Sequence, residues 1–140
     1  MVSYHVEDTR FSFTGKIANN KWLKMVAESE HKKLKEISII FCSDPYLLEI
    51  NRQYLQHDYY TDIITFDYCE DPYISGDLFI SVDTVRANAQ TYKTLFEEEL
   101  NRVMVHGVLH LCGYDDHTKE QQKTMRAKED YYLKLRILAS

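Results

Sequence analysis

Between Leu100 and Leu111 the chain reads LNRVMVHGVLHL, and this stretch limits the possible folds more than any other. Leu100, Val103, Met104, Val108 and Leu111 recur at helical spacing and leave only one polar edge. A helix this apolar has to be covered by the rest of the protein on nearly every side. Its polar edge therefore opens into a pocket, and His106 and His110 stand on that edge.

Residues four apart in a helix lie about one turn apart on nearly the same side, so both imidazoles can reach one ion. Gly113 ends the helix, because glycine tolerates the positive φ of a C-terminal cap. The chain can then double back and bring Asp116 or His117 to the same place. Two histidines with a carboxylate or a third histidine, and one position open to water, compose a catalytic zinc site, with one zinc per chain expected. Zinc peptidases of the H-E-x-x-H type carry a general-base Glu directly after the first His. Gly107 stands there instead, which counts against a peptidase. A glycine inside a helix costs about 1 kcal/mol relative to alanine, so either a neighbouring element packs close or a bulky substrate needs the space. Asp115, Asp116 and the Glu97 to Glu99 cluster are near in sequence. The glutamates open a helix and complement its dipole, so no catalytic base is assigned.

At 140 residues and 44% hydrophobic content, residues 1–140 are expected to form one domain whose core is large enough to fold unaided. No apolar run reaches membrane-spanning length, and the N-terminus MVSYHVEDTR lacks the basic-then-apolar order of a signal peptide. A cytoplasmic protein with no membrane partner is expected. Cys42, Cys69 and Cys112 are odd in number and widely spaced, which fits reduced thiols, with Cys112 turned into the core. The net charge of −5 is unevenly spread. Residues 15–35 set six lysines against two glutamates, and residues 118–140 set six basic residues against three acidic ones. From 44 to 116, fourteen acidic residues face four basic ones. A cation is welcome in that middle segment, whereas a polyanion meets repulsion unless the basic ends flank the cleft.

Only two prolines and four glycines punctuate the chain, and no repeat or linker divides it. Arg10-Phe11-Ser12-Phe13 alternates like a strand, and Ile17 to Leu34 carries Ala18, Trp22, Met25 and Val26 at helical spacing. Glu36 to Phe41 alternates as a strand through Ile37, Ile39 and Phe41, and Ser43-Asp44-Pro45 starts a helix to about Leu55. Ile63 to Tyr68 and Leu78 to Val82 read as strands joined by a loop containing Asp71-Pro72 and Gly76. Helices follow from Asp83 with a break near Phe96. Thr118 and Gln121 form a capping box for a last helix to about Leu138. The order β, α, β, α, β, β, α, α, α predicts an α+β fold. It should hold a mixed sheet of about four strands covered by helices, with the metal site on a helix of the C-terminal half.

Three blocks, in this order along most of the chain, resemble the YbeY family of endoribonucleases. Glu97 to His117 (EEELNRVMVHGVLHLCGYDDH) is similar to that family's acidic lead-in, H-G-x-L-H-L-x-G-Y-D and final ligand. Asn51 to Phe66 (NRQYLQHDYYTDIITF) is similar to its N-x-x-Y-R and T-D-V-L-S-F segment, and Gly76 to Ile80 to its G-D-I strand. The resemblance implies a zinc-binding fold and metal-dependent cleavage of single-stranded RNA. It also implies a role in ribosome assembly and ribosomal RNA maturation, notably small-subunit 3′-end processing. Ribosomal RNA and the small ribosomal subunit or its assembly factors are the partners so implied, with a monomer favoured.

Two positions depart from the family pattern. The family has a histidine ten residues after the first ligand, where Asp116 stands here, with His117 one place later. Spacing favours Asp116, whose carboxylate is an acceptable zinc ligand. A one-residue loop adjustment would instead bring in His117 and leave Asp116 beside it. The second departure is Leu55, where the family carries an arginine associated with activity. Arg52, one turn earlier, reads as a surface residue. Tyr59, Tyr60, Tyr68 and Tyr73 offer rings for unpaired bases but read as strand or core packing. Two other functions compete with the nuclease. One is a ribosome-assembly binding protein with a structural metal, consistent with Leu55 and the acidic middle. The other is a zinc peptidase, which lacks its base at Gly107.

Overall fold

The strands and helices alternate in the expected order in the computed structural model, which describes residues 1–55 and 61–139. They are β1 (Val2–Glu7), α1 (Lys16–Ser29), β2 (Lys33–Cys42), α2 (Asp44–Leu55), β3 (Ile63–Asp67), β4 (Tyr73–Ser81), α3 (Val82–Thr91), α4 (Phe96–Leu111) and α5 (Lys119–Ala139). Among the described residues, four strands form one mixed sheet in the order β1-β2-β4-β3. β1 and β4 both run parallel to β2, and β3 pairs antiparallel with β4, so the α+β reading holds.

Period-two alternation divides each strand between two faces. Ile37, Ile39 and Phe41 of β2 join Ile74, Leu78 and Ile80 of β4 in the main core, where they meet α1 and α4. Cys42 and Ile64 turn to the other face and pack with Leu47 of α2. α4 is the centre of the main core, with Leu100, Val103, Met104, Val105, Val108, Leu109 and Leu111 all buried. Each such side chain contributes about 1.5–3 kcal/mol on burial. The rotation of α4 about its own axis is therefore fixed by the core, and the histidines take the orientation that remains.

Gly107 is explained by close packing. A Cβ on it would come within 2.9 Å of Ile63 Cδ1 and 3.0 Å of both Leu78 methyls, so position 107 turns into the sheet. No side chain there could serve as the base a peptidase needs. Gly76 is tighter still, because a Cβ would lie 2.4 Å from the Phe66 carbonyl oxygen and 2.9 Å from Leu111 Cδ2. Gly76→Ala is expected to destabilise the protein by about 1–3 kcal/mol through overpacking. Denaturant unfolding should show a lower midpoint at unchanged slope, and wild-type stability would contradict this packing.

Three expected elements need correction. Residues 10–13 are not a strand. Phe11 and Phe13 share a side because both rings lie on Phe41, with centroids 4.8 and 5.3 Å away, while the first strand is Val2–Glu7. The first helix ends at Ser29 rather than near Leu34. His31 adopts a left-handed turn at φ 62, and Leu34 belongs to β2. β4 begins at Tyr73 and contains Gly76, which marks close strand approach and not a loop. The capping box is present. Gln121 N–H donates to Thr118 Oγ1 at 3.0 Å, and Thr118 N–H donates back to Gln121 Oε1 at 3.0 Å.

Candidate metal centre

Arg102, His106 and His110 follow one another at intervals of four, forming a ridge along the edge of α4 that the core leaves partly open. The helix stops in a Schellman arrangement: Gly113 N–H donates to the His110 carbonyl (3.0 Å) and Tyr114 N–H to the Leu109 carbonyl (3.1 Å), with Gly113 at φ 111. This reversal sends the following loop back over the ridge. Asp116 Oδ2 arrives 3.3 Å from His106 Nε2 and 3.6 Å from His110 Nε2, and the two Nε2 atoms are 3.1 Å apart. Among the described residues, these three side chains form the only group with donors close enough to share an ion.

Those separations bear directly on zinc. Ligand atoms about 2.0–2.1 Å from a tetrahedral ion lie about 3.3 Å from one another, and the three edges of the triangle bracket that value. The donor set fits. His117 is exposed and lies outside the group, with its backbone N–H bound to Gln121 Oε1 at 3.0 Å. Cys112 packs against the main core, where burial pushes its thiol up to about 12, and it is not among the grouped donors.

The other ring nitrogen of His106 is also held. His106 Nδ1 lies 2.7 Å from Glu129 Oε2, and Glu129 is only 5% exposed. Its second oxygen accepts from Arg102 Nη1 at 2.9 Å, while Arg102 Nη2 donates to Asp130 at 2.7 Å. Burial opposes charge on His106, but the Glu129 hydrogen bond and charge outweigh it and raise the pKa. His110 is shifted down by burial and by its neighbour His106, against the charge of Asp116 and a hydrogen bond to the Tyr114 backbone. A carboxylate on the far nitrogen fixes ring orientation and tautomer toward an ion.

The triangle faces a cavity of about 550 Å³ whose walls include Asn51, Leu55, Asp62 and Asp115. Asp62 precedes β3, and Ser81 N–H donates to its carbonyl at 2.9 Å, anchoring it beside the end of β4. Burial raises the Asp62 carboxyl above the ordinary aspartate range, against the pull of His106.

A family model described as Endoribonuclease YbeY matches residues 4–136. The chain belongs to the YbeY family. A relative named Endoribonuclease YbeY from Parabacteroides distasonis is 54% identical over 129 residues, spanning 92% of this chain and 91% of its own length. Another of that name, from Flavobacterium psychrophilum, is 50% identical over 135 residues, 96% of each chain. A solution structure from Thermotoga maritima superposes with a TM-score of 0.67 at 27% identity, over 95% of this chain and 87% of that one.

Within this YbeY-family site, Leu55 lines the cavity and is 40% exposed, so the position where the family pattern has arginine does face the pocket. Arg52 sits 3.9 Å from Glu49 and is about half exposed, as a surface residue should be. Tyr68 is exposed and donates to Asp77 at 3.2 Å, and Tyr73 is exposed beside Lys33 and Lys35. Neither lines the cavity, and Tyr59 and Tyr60 lie outside the described residues. The sequence reading gave no role to Asp62, Arg102 or Glu129. Glu99, in the first turn of α4 as the dipole reading expects, is only 7% exposed, and burial raises its pKa. One signal for Glu129 was present: it falls four after Met125 and three before Tyr132, a carboxylate on the buried stripe of α5. Among the described residues no helix is long and apolar enough to cross a membrane.

Proposed function

We propose that this protein is a zinc-dependent endoribonuclease, one domain spanning residues 1–140, that cleaves single-stranded RNA. Its setting is ribosomal RNA maturation, notably at the small-subunit 3′ end, and ribosome assembly, as a cytoplasmic monomer with ribosomal RNA and the small subunit or its assembly factors as partners. The observation that carries this reading is the triangle of His106, His110 and Asp116, whose 3.1, 3.3 and 3.6 Å edges suit one tetrahedral ion. In this reading the three side chains are the zinc ligands, and His117 is not.

A zinc ion held there supplies Lewis acidity toward a phosphodiester and activation of water near neutral pH. The chain's own residues do the rest. Glu129 holds the proton on His106 Nδ1, so that Nε2 presents its lone pair to the cavity. Arg102 anchors Glu129 from the other side. Asp62 lines the cavity together with His106 and Asp116, its carboxyl raised by burial, and it takes the role of proton acceptor here. Leu55 gives the substrate phosphate no guanidinium from α2, and this favours as second reading a ribosome-assembly binding protein with a structural metal.

Metal analysis of the purified protein with cleavage of a labelled single-stranded RNA tests both. About one zinc per chain is expected, with cleavage lost on chelation and restored by zinc. Asp62→Asn should keep the zinc and lower kcat by about 10²-fold. Zinc with RNA binding but no cleavage would favour the binding protein. Absence of zinc would overturn the site.

A further inference from the structure

The cavity does not stop at His106. A second hollow of about 290 Å³ adjoins it, sharing Asp62, His106 and Asp116 as a common wall. Its far side is formed by Tyr92, at the C-terminal cap of α3, and by Arg126 of α5. The surroundings are acidic, with Glu99 and Glu129 also in the wall, so a phosphate there needs a cation. Two guanidiniums line the hollow. Arg102 is held by Glu129 at 2.9 Å and Asp130 at 2.7 Å. Arg126 only grazes that network, its Nη1 4.0 Å from Glu129 Oε1, and its side chain is 62% exposed. Tyr92 is 60% exposed, and its backbone N–H donates to the Asn88 carbonyl at 2.9 Å, so the ring hangs from a fixed point.

We propose that this hollow is the neighbouring-nucleotide subsite of the RNA groove, in which Arg126 takes the phosphate next to the one at the His/Asp triangle and Tyr92 stacks the attached base. Single-strand binding combines a cation that tracks the backbone with an aromatic face that accepts any base, and the hollow offers one of each beside the triangle. The C-terminal basic segment thereby supplies a cation to an acidic cleft. This inference rests on the nuclease reading.

The test uses zinc-loaded protein, with fluorescence anisotropy of a labelled single-stranded RNA and steady-state cleavage of the same strand. Arg126→Ala is expected to raise Kd and KM about tenfold with kcat and zinc content nearly unchanged, and to lower the slope of log K against log salt by about 0.7, one phosphate contact on a single strand. Tyr92→Ala should weaken binding at least about fivefold, and Tyr92→Phe should restore it. Lys24→Ala removes an equal charge from the exposed side of α1 and should leave both constants within about twofold. An Arg126→Ala protein that matches Lys24→Ala overturns the subsite alone. Wild-type protein that neither binds nor cleaves the RNA overturns the nuclease reading and the subsite with it.

Discussion

His110→Ala is expected to abolish stoichiometric zinc binding and RNA cleavage together while leaving the protein folded. Structural zinc contributes about 10–16 kcal/mol to small domains. Losing one of three protein ligands should thus remove about 3–5 kcal/mol, or about two to four orders of magnitude in affinity. The fold tolerates the change because His110 stands on the partly open edge of α4, outside the apolar stripe that holds the helix to the sheet. Asp116→Ala should behave the same way, since its Oδ2 closes the triangle at 3.3 and 3.6 Å. His117→Ala should change neither zinc content nor cleavage, because its ring is exposed outside the triangle. Zinc content by mass spectrometry with thermal unfolding of each variant decides the matter. A full complement of zinc in His110→Ala, or its loss in His117→Ala, would contradict the assignment.

Removing Glu129 should cost nearly as much by a different route. Glu129→Ala takes the acceptor from His106 Nδ1 and leaves Arg102 with Asp130 alone. Loss of such a hydrogen bond behind a ligand lowers metal affinity about 10–100-fold. Breaking a buried ion pair from one side costs about 3–5 kcal/mol, and the low end applies because Arg102 is still 21% exposed. Glu129→Gln keeps the shape and should recover part of the stability, but not the charge that holds the His106 proton. Competition with a chromophoric chelator measures the first effect, and denaturant unfolding of the zinc-free protein measures the second. Unchanged zinc affinity in Glu129→Ala would show that the 2.7 Å contact does not orient the ring.

What could be read from the chain follows the range of the interactions involved. The histidine pair, the glycine cap and the capping box are local features, each set within one turn of helix, and each is found where the spacing put it. The misreadings share another cause. Phe11 and Phe13 alternate because both meet Phe41, far along the chain, and Gly76 is a glycine because the carbonyl of Phe66 in a neighbouring strand leaves no room for a Cβ. In both places a long-range contact selected residues that imitate a local signal. Leu34 carried the helical pattern past its end for a related reason, since it packs against the same core from a strand.

The sequence by itself determined the α+β order, the helix that bears His106 and His110, and the turn that lets the chain fold back over them, because periodicity and backbone freedom act over a few residues. Only the tertiary structure decided that Asp116 and not His117 completes the triangle, that Glu129 stands behind His106 twenty-three residues away, and that Asp62 and Arg126 face the same pocket. Those placements depend on the angle at which α5 and β3 meet α4. That angle is set by the packing of Met125, Tyr132 and Ile63 against the common core, which no short stretch of sequence contains.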